Sequence, residues 1–250
     1  MNAAKTPGQQ LVMLFGLSLC CMFIGQAISR IIVLLYYGDQ LSEVEVYDPK
    51  LIIATAGISH VFVHLVVFFL FLRITNMKWV DIFPSVRFKL LYLLLLPMLA
   101  LVGILVAAAL SQLSLSFFEG IGFHELVQNE LNYQQALLPL LVHDSLAQLI
   151  LSLVVFAILP AIGEEFIYRG LLQTRLVEAT HNLHFSVIIS ALIFAAMHFQ
   201  PVNLLAIAVM GITLGYVYAL SKNIWYSILL HFLINSMQVL QAFFWPEQMQ

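Results

Sequence analysis

"LAQLILSLVVFAILPAIGEEFIYRG", residues 146–170, sets the reading of the whole chain. An uninterrupted apolar run ends directly in two glutamates and an arginine. The run approaches the roughly 20 helical residues that a hydrocarbon core of about 30 Å requires, and no loop signal separates it from the charges. Elsewhere charge is scarce: of 250 residues, 9% are charged and 62% hydrophobic, and mean hydropathy is +0.98. Such a composition belongs to polytopic membrane proteins rather than to soluble domains of this length.

Working outward, stretches 90–118, 145–163, 179–221 and 223–246 contain no Asp, Glu, Lys or Arg. The third is long enough for two spans and breaks at "HFQPVN", where Pro201 favours a turn. The pattern predicts an all-α polytopic transmembrane helical bundle of seven spans, with an eighth left open: 11–36, 51–72, 90–117, 145–163, 185–200, 202–220 and 224–242. No repeat or linker divides it, so residues 1–250 form a single integral membrane domain. The first apolar run is long for a signal peptide and reads as a retained helix. Cys20 and Cys21, adjacent within it, read as packing residues. Segment 118–144 is partly apolar and reads as an interfacial helix.

Basic residues prefer short cytoplasmic loops. Loop 73–89 holds Arg73, Lys78, Arg87 and Lys89, whereas loop 38–50 (Asp39, Glu43, Glu45, Asp48) and loop 118–144 (Glu119, Glu125, Glu130, Asp144) are acidic. The N-terminus is therefore expected in the cytoplasm, and short loops suggest a prokaryotic cytoplasmic membrane. A net charge of −3 without a basic cluster gives no support for nucleic-acid binding. The bilayer and a membrane-associated protein or peptide are the expected partners.

Ionisable groups at membrane depth are costly and usually have a partner, a wet cavity or a function. On a helix, Glu165 and Arg169 are neighbours at i and i+4 in the favourable order, so they can neutralise each other. Glu164 points about 100° away and shares its face with Tyr168, without a local cation. Taken alone, these charges could be a solvated helix end. Two later spans change that: "FAAMH" sets Phe194 and His198 on one face, and "HFLIN" does the same for His231 and Asn235. A carboxylate, two imidazoles and an amide supply a base, a water-orienting group and oxyanion donors, the needs of amide hydrolysis. No serine or cysteine nucleophile accompanies them. "HVFVH" places His60 and His64 on one face of the second span; with no acid in that span, packing or lining of a cavity is expected rather than metal binding.

The ordered set Glu-Glu-x-x-x-Arg, Phe-x-x-x-His and His-x-x-x-Asn resembles the type II CAAX prenyl endopeptidases and their prokaryotic relatives, the CAAX-protease and bacteriocin-processing (Abi) intramembrane proteases. The resemblance covers residues 145–241, the expected catalytic core. It implies that Glu164 is the general base acting with His198, that His231 and Asn235 stabilise the tetrahedral intermediate, and that Glu165 and Arg169 support them, with Tyr168 and Phe194 beside them. It further implies a glutamic peptidase needing no cofactor, although one carboxylate and two histidines could also bind zinc. The alternatives are a non-catalytic immunity or peptide-binding protein of the same fold and a proton-coupled transporter.

One geometric condition follows. Were the fourth helix to run inward from Asp144 and the fifth outward from residue 185, a rise of 1.5 Å per residue would separate Glu164 from His198 by roughly 20 Å in depth. The two meet only if the fourth helix starts deeper or continues past Pro160 to about residue 175, and if segment 181–186 begins outside the core. Glu164 is then expected below the interface, in a polar cavity open to the cytoplasm.

Overall fold

The computed structural model describes residues 5–38, 49–83, 88–141 and 145–245, and among these it is helical throughout, with no strand. The acidic residues predicted to mark loop 38–50, together with Arg87 and Asp144, lie outside the described residues. Helix α1 (Pro7–Tyr37) opens with a reciprocal cap: the Thr6 hydroxyl accepts from the Gln9 N–H and the Gln9 side chain accepts from the Thr6 N–H, with Pro7 at the first helical position. The second span joins α2 (Pro49–His60) to α3 (Val67–Thr75) through a π-helical turn, Val61–Val66. A short α4 (Trp79–Ile82), then α5 (Leu90–Gly120) and α6 (His124–Leu141) follow.

The motif-bearing helix departs from expectation. Instead of a span ending at 163, α7 (Leu146–Ser152), α8 (Leu159–Glu165) and α9 (Thr174–Thr180) run on through π turns at Leu153–Ile158 and Phe166–Gln173, giving one continuous helix of 35 residues. Pro160 does not stop it. The π turn immediately before the proline shifts the hydrogen-bond register, with the Leu159 N–H reaching Val154 O. The helix ends where His181 turns left-handed (φ 53°) and Asn182 caps α10 (Leu183–Ala196) by accepting from the Phe185 N–H.

This tight hairpin returns α10 along the second half of the long helix, where Ser190 Oγ donates to Tyr168 O at 2.9 Å. The continuation past Pro160 that the depth condition calls for is present. Helix α10, at 14 residues, spans only about 21 Å and is shorter than the predicted 185–200 segment, because the chain leaves the helix before Pro201 with Phe199 left-handed (φ 55°). Helices α11 (Leu204–Ser221) and α12 (Ile224–Phe244) form a second hairpin, closed by left-handed Lys222 and the Asn223 cap. Among the described residues, six helices are long and apolar enough to cross a membrane, and α10 is a further, shorter apolar helix. The protein is an integral membrane protein.

Close approach positions the site. Helix α8 lies so near the π turn of the second span that a Cβ on Gly163 would sit 2.7 Å from the Cβ of His64. Phe166, one turn on, packs into an aromatic cluster with Phe68 and Phe83, at ring centroid distances of 4.8 and 5.2 Å. Tyr226 of α12 hydrogen-bonds the backbone of Lys89 at the start of α5. The expected interfacial segment forms helix α6, whose Glu130 is buried and accepts from Asn203 Nδ2 at 2.6 Å, tethering the loop that follows His198. Of the two cysteines, Cys21 packs inside as expected and Cys20 is exposed.

Because the atom opposing Gly163 is the stem of a side chain rather than its flexible end, Gly163→Val is expected to force the two helices apart. It should lower stability by about 1–3 kcal/mol, visible as a reduced midpoint of thermal unfolding in detergent.

Candidate active site

Glu165 is the most connected of the motif residues. Its side chain is fully buried, and three groups meet it: Arg169 Nη1 at 2.9 Å, Ser227 Oγ at 2.5 Å and His231 Nδ1 at 2.9 Å. The Arg169 contact is the i,i+4 pair expected from sequence. Arg169 continues across the bundle, donating Nη2 to Gly211 O at 2.9 Å while its guanidinium stacks over Phe194 at 4.7 Å. One turn further on, Gln173 Nε2 donates to Gly215 O at 3.1 Å. Gly211 and Gly215 of α11 thus expose the carbonyls that receive two side chains of the motif helix. A Cβ on Gly215 would come within 2.9 Å of both Gln173 and Val187.

A ring nitrogen facing a carboxylate acts as the donor, so His231 commits its Nδ1 proton to Glu165. Its Nε2 then faces Glu164 Oε2 at 3.8 Å. Glu164 itself is 6% exposed and has no cation in direct contact among the described residues. His60 Nδ1 lies 3.7 Å from its other oxygen. Both distances exceed a hydrogen bond, which leaves Glu164 lone pairs able to engage a small molecule between these rings.

His198 Nδ1 lies 2.8 Å from Phe194 O. A carbonyl only accepts, so the proton sits on Nδ1 and Nε2 is a free acceptor. The Phe194 ring stands between the two motif histidines, 4.7 Å from His198 and 6.0 Å from His231, and makes an edge contact with Tyr168 at 5.1 Å. Asn235 lies one turn beyond His231 on the same face of α12; it is half-buried and makes no hydrogen bond to a described residue. Glu164 is buried, and His60, His198 and Asn235 are the partly exposed members of the group. A groove lined by Trp79, Phe83, Tyr218, Lys222 and Trp225 contains none of the motif residues.

Sequence reasoning missed two contributors, Ser227 and Gln173. Ser227 sits four residues before His231 on the same face, a spacing that marks it in retrospect. Gln173 likewise follows Arg169 by four. His60 and His64 were read as packing or cavity-lining residues for want of an acid in their own span; the bundle supplies Glu164 from another helix.

Residues 146–237, which include all three motifs, match the family model described as type II CAAX prenyl endopeptidase Rce1-like. Over this region the chain is similar to that family. A Bacillus subtilis (strain 168) protein named "Putative membrane peptidase YdiL" is 36% identical over 90 residues, which make up 36% of this chain and 36% of that protein. The match thus spans about a third of the relative's length. No solved structure matches the chain. The resemblance read from the motifs is borne out over the C-terminal helices.

Removing one partner of a buried ion pair strands the other charge. Arg169→Ala is therefore expected to cost about 3–5 kcal/mol. Glu164→Gln, which breaks no short hydrogen bond, should stay within about 1 kcal/mol of wild type. Thermal unfolding of both variants in the same detergent checks the contrast.

Proposed function

We propose that this protein is an intramembrane endopeptidase that hydrolyses a peptide bond of a membrane-associated or prenylated-type protein or peptide through a water activated by Glu164 and His198. The observation that carries the reading is the division of labour between adjacent carboxylates. Glu165 is consumed by structural partners, while Glu164 keeps oxygens that no short hydrogen bond occupies. The family match and the similarity to a protein named as a membrane peptidase support it.

In this route Glu164 takes a proton from water, whose oxygen bonds to the scissile carbonyl carbon. His198 Nε2, an acceptor in its inferred tautomer, holds the second water proton and fixes the attack direction. Negative charge develops on the former carbonyl oxygen; the Asn235 amide stands on the α12 face where it would donate to it, and His231 would donate through Nε2 when its ring carries both protons. Collapse breaks the C–N bond, and the proton held by Glu164 passes to the leaving amine. Glu165 acts through His231 as a positioning residue, with Arg169 and Ser227 fixing Glu165 in turn; Tyr168 and Phe194 form the apolar walls. No metal or other cofactor takes part in these steps. The basic loop 73–89 supports an N-terminus on the cytoplasmic side of a prokaryotic cytoplasmic membrane.

The test compares peptide termini in membranes of cells making wild-type protein and the Glu164→Gln variant at matched levels. Termini unique to wild type are expected, with cleavage in the variant lower by roughly 10²–10⁴-fold, the usual contribution of a general base. Identical termini in both would reduce Glu164 to a structural group and favour a peptide-binding protein.

A further inference from the structure

Among the described residues, one group of three metal-ligating side chains converges: His60 and His64 from the second span and Glu164 from α8, with one candidate ligand atom from each lying within 4.8 Å of the others. The same three residues carry unsatisfied polar atoms. His60 Nδ1, His64 Nδ1 and Glu164 Oε2 are buried and have no hydrogen-bond partner, which is rare for groups of this kind. The two rings are stacked, 5.5 Å between centroids and 23° between planes, so both present their edges in the same sense. The contact of Gly163 with the His64 stem sets the carboxylate opposite the imidazole pair.

We infer that His60, His64 and Glu164 bind one divalent transition-metal ion, with Zn²⁺ the best match. Two imidazoles and a carboxylate form a borderline-soft donor set that suits Zn²⁺, whereas Mg²⁺ and Ca²⁺ favour oxygen ligands. Bonds of about 2.0–2.1 Å in a tetrahedral site place donor atoms roughly 3.4 Å apart, so the three side chains need to draw together by about an ångström or slightly more. Three protein ligands leave a fourth position for water. His60, with a side chain 22% exposed, marks the route of entry.

The ion would take up the Glu164 oxygens that the proposed peptidase needs, so loading would slow cleavage. That consequence rests on the proposed function, whereas binding itself does not. The experiment therefore measures binding: tag-free full-length protein in detergent is stripped with a chelator, exchanged into chelator-free buffer, and titrated with Zn²⁺ and, for its visible ligand-field bands, with Co²⁺. One ion per chain and a higher thermal midpoint with Zn²⁺ are expected. His60→Asn and His64→Asn should each weaken binding by roughly 100-fold, at or beyond the loss typical of outer-shell changes. If some variants misfold, the partly exposed His60→Asn, checked by a monodisperse elution profile, carries the test. Absence of stoichiometric binding overturns the site, as does binding that survives both substitutions but is lost in His231→Gln. Cleavage assayed in parallel separates the two ideas: binding without any peptidase activity sinks the proposed function alone.

Discussion

A carboxylate with no exposure inside an apolar bundle has to find its counter-charge and hydrogen bonds within the bundle, and Glu165 finds them on two helices at once. Arg169 answers from its own helix, and Ser227 and His231 answer from α12. Arg169 then spends its second nitrogen on Gly211 of α11. In hydrocarbon, where helices gain nothing from hydrophobic association, such polar links and close packing at small residues decide which faces meet. The glycines serve both ends, since an added Cβ at Gly211 would crowd Ala191 and Phe194, and one at Gly215 would crowd Gln173 and Val187.

From that arrangement comes the asymmetry between two neighbouring glutamates. One position of sequence turns the side chain by about 100°, enough to move Glu164 out of the ion-pair network and toward the rings of His60 and His231. The first carboxylate keeps oxygens outside short hydrogen bonds because the second absorbs the structural demand. His231 joins the two roles: Nδ1 is tied to Glu165, and Nε2 faces Glu164. The π turns on either side of α8 suit this arrangement, because they change the register in which successive side chains leave the helix. Turns of this kind often occur at functional sites, and here two of the three lie on the motif helix and the third holds His64.

Much of the site was legible because its spacing is local. Four-residue separations within a helix identify Glu165 with Arg169, Phe194 with His198 and His231 with Asn235, whatever the surrounding fold. Helix extent was less legible. A proline and three charges ordinarily end an apolar span, yet the π turn accommodates Pro160 and Glu165 and Arg169 neutralise each other inside, so the helix continues to Thr180. Helix α10 errs the other way, stopping at Ala196 because the turn toward Pro201 begins earlier than hydropathy suggests.

The amino-acid sequence by itself determined the membrane class, the approximate spans, the ordered polar motifs and the Glu165–Arg169 pair, since hydropathy and helical periodicity are properties of short stretches. Only the tertiary structure decided that Ser227 completes the Glu165 network, that Gly211 and Gly215 offer carbonyls to Arg169 and Gln173, and that His60 and His64 face Glu164. Each of those meetings joins residues from different helices, and the close helix–helix approach at small residues, not any local pattern, selects which side chains come within reach.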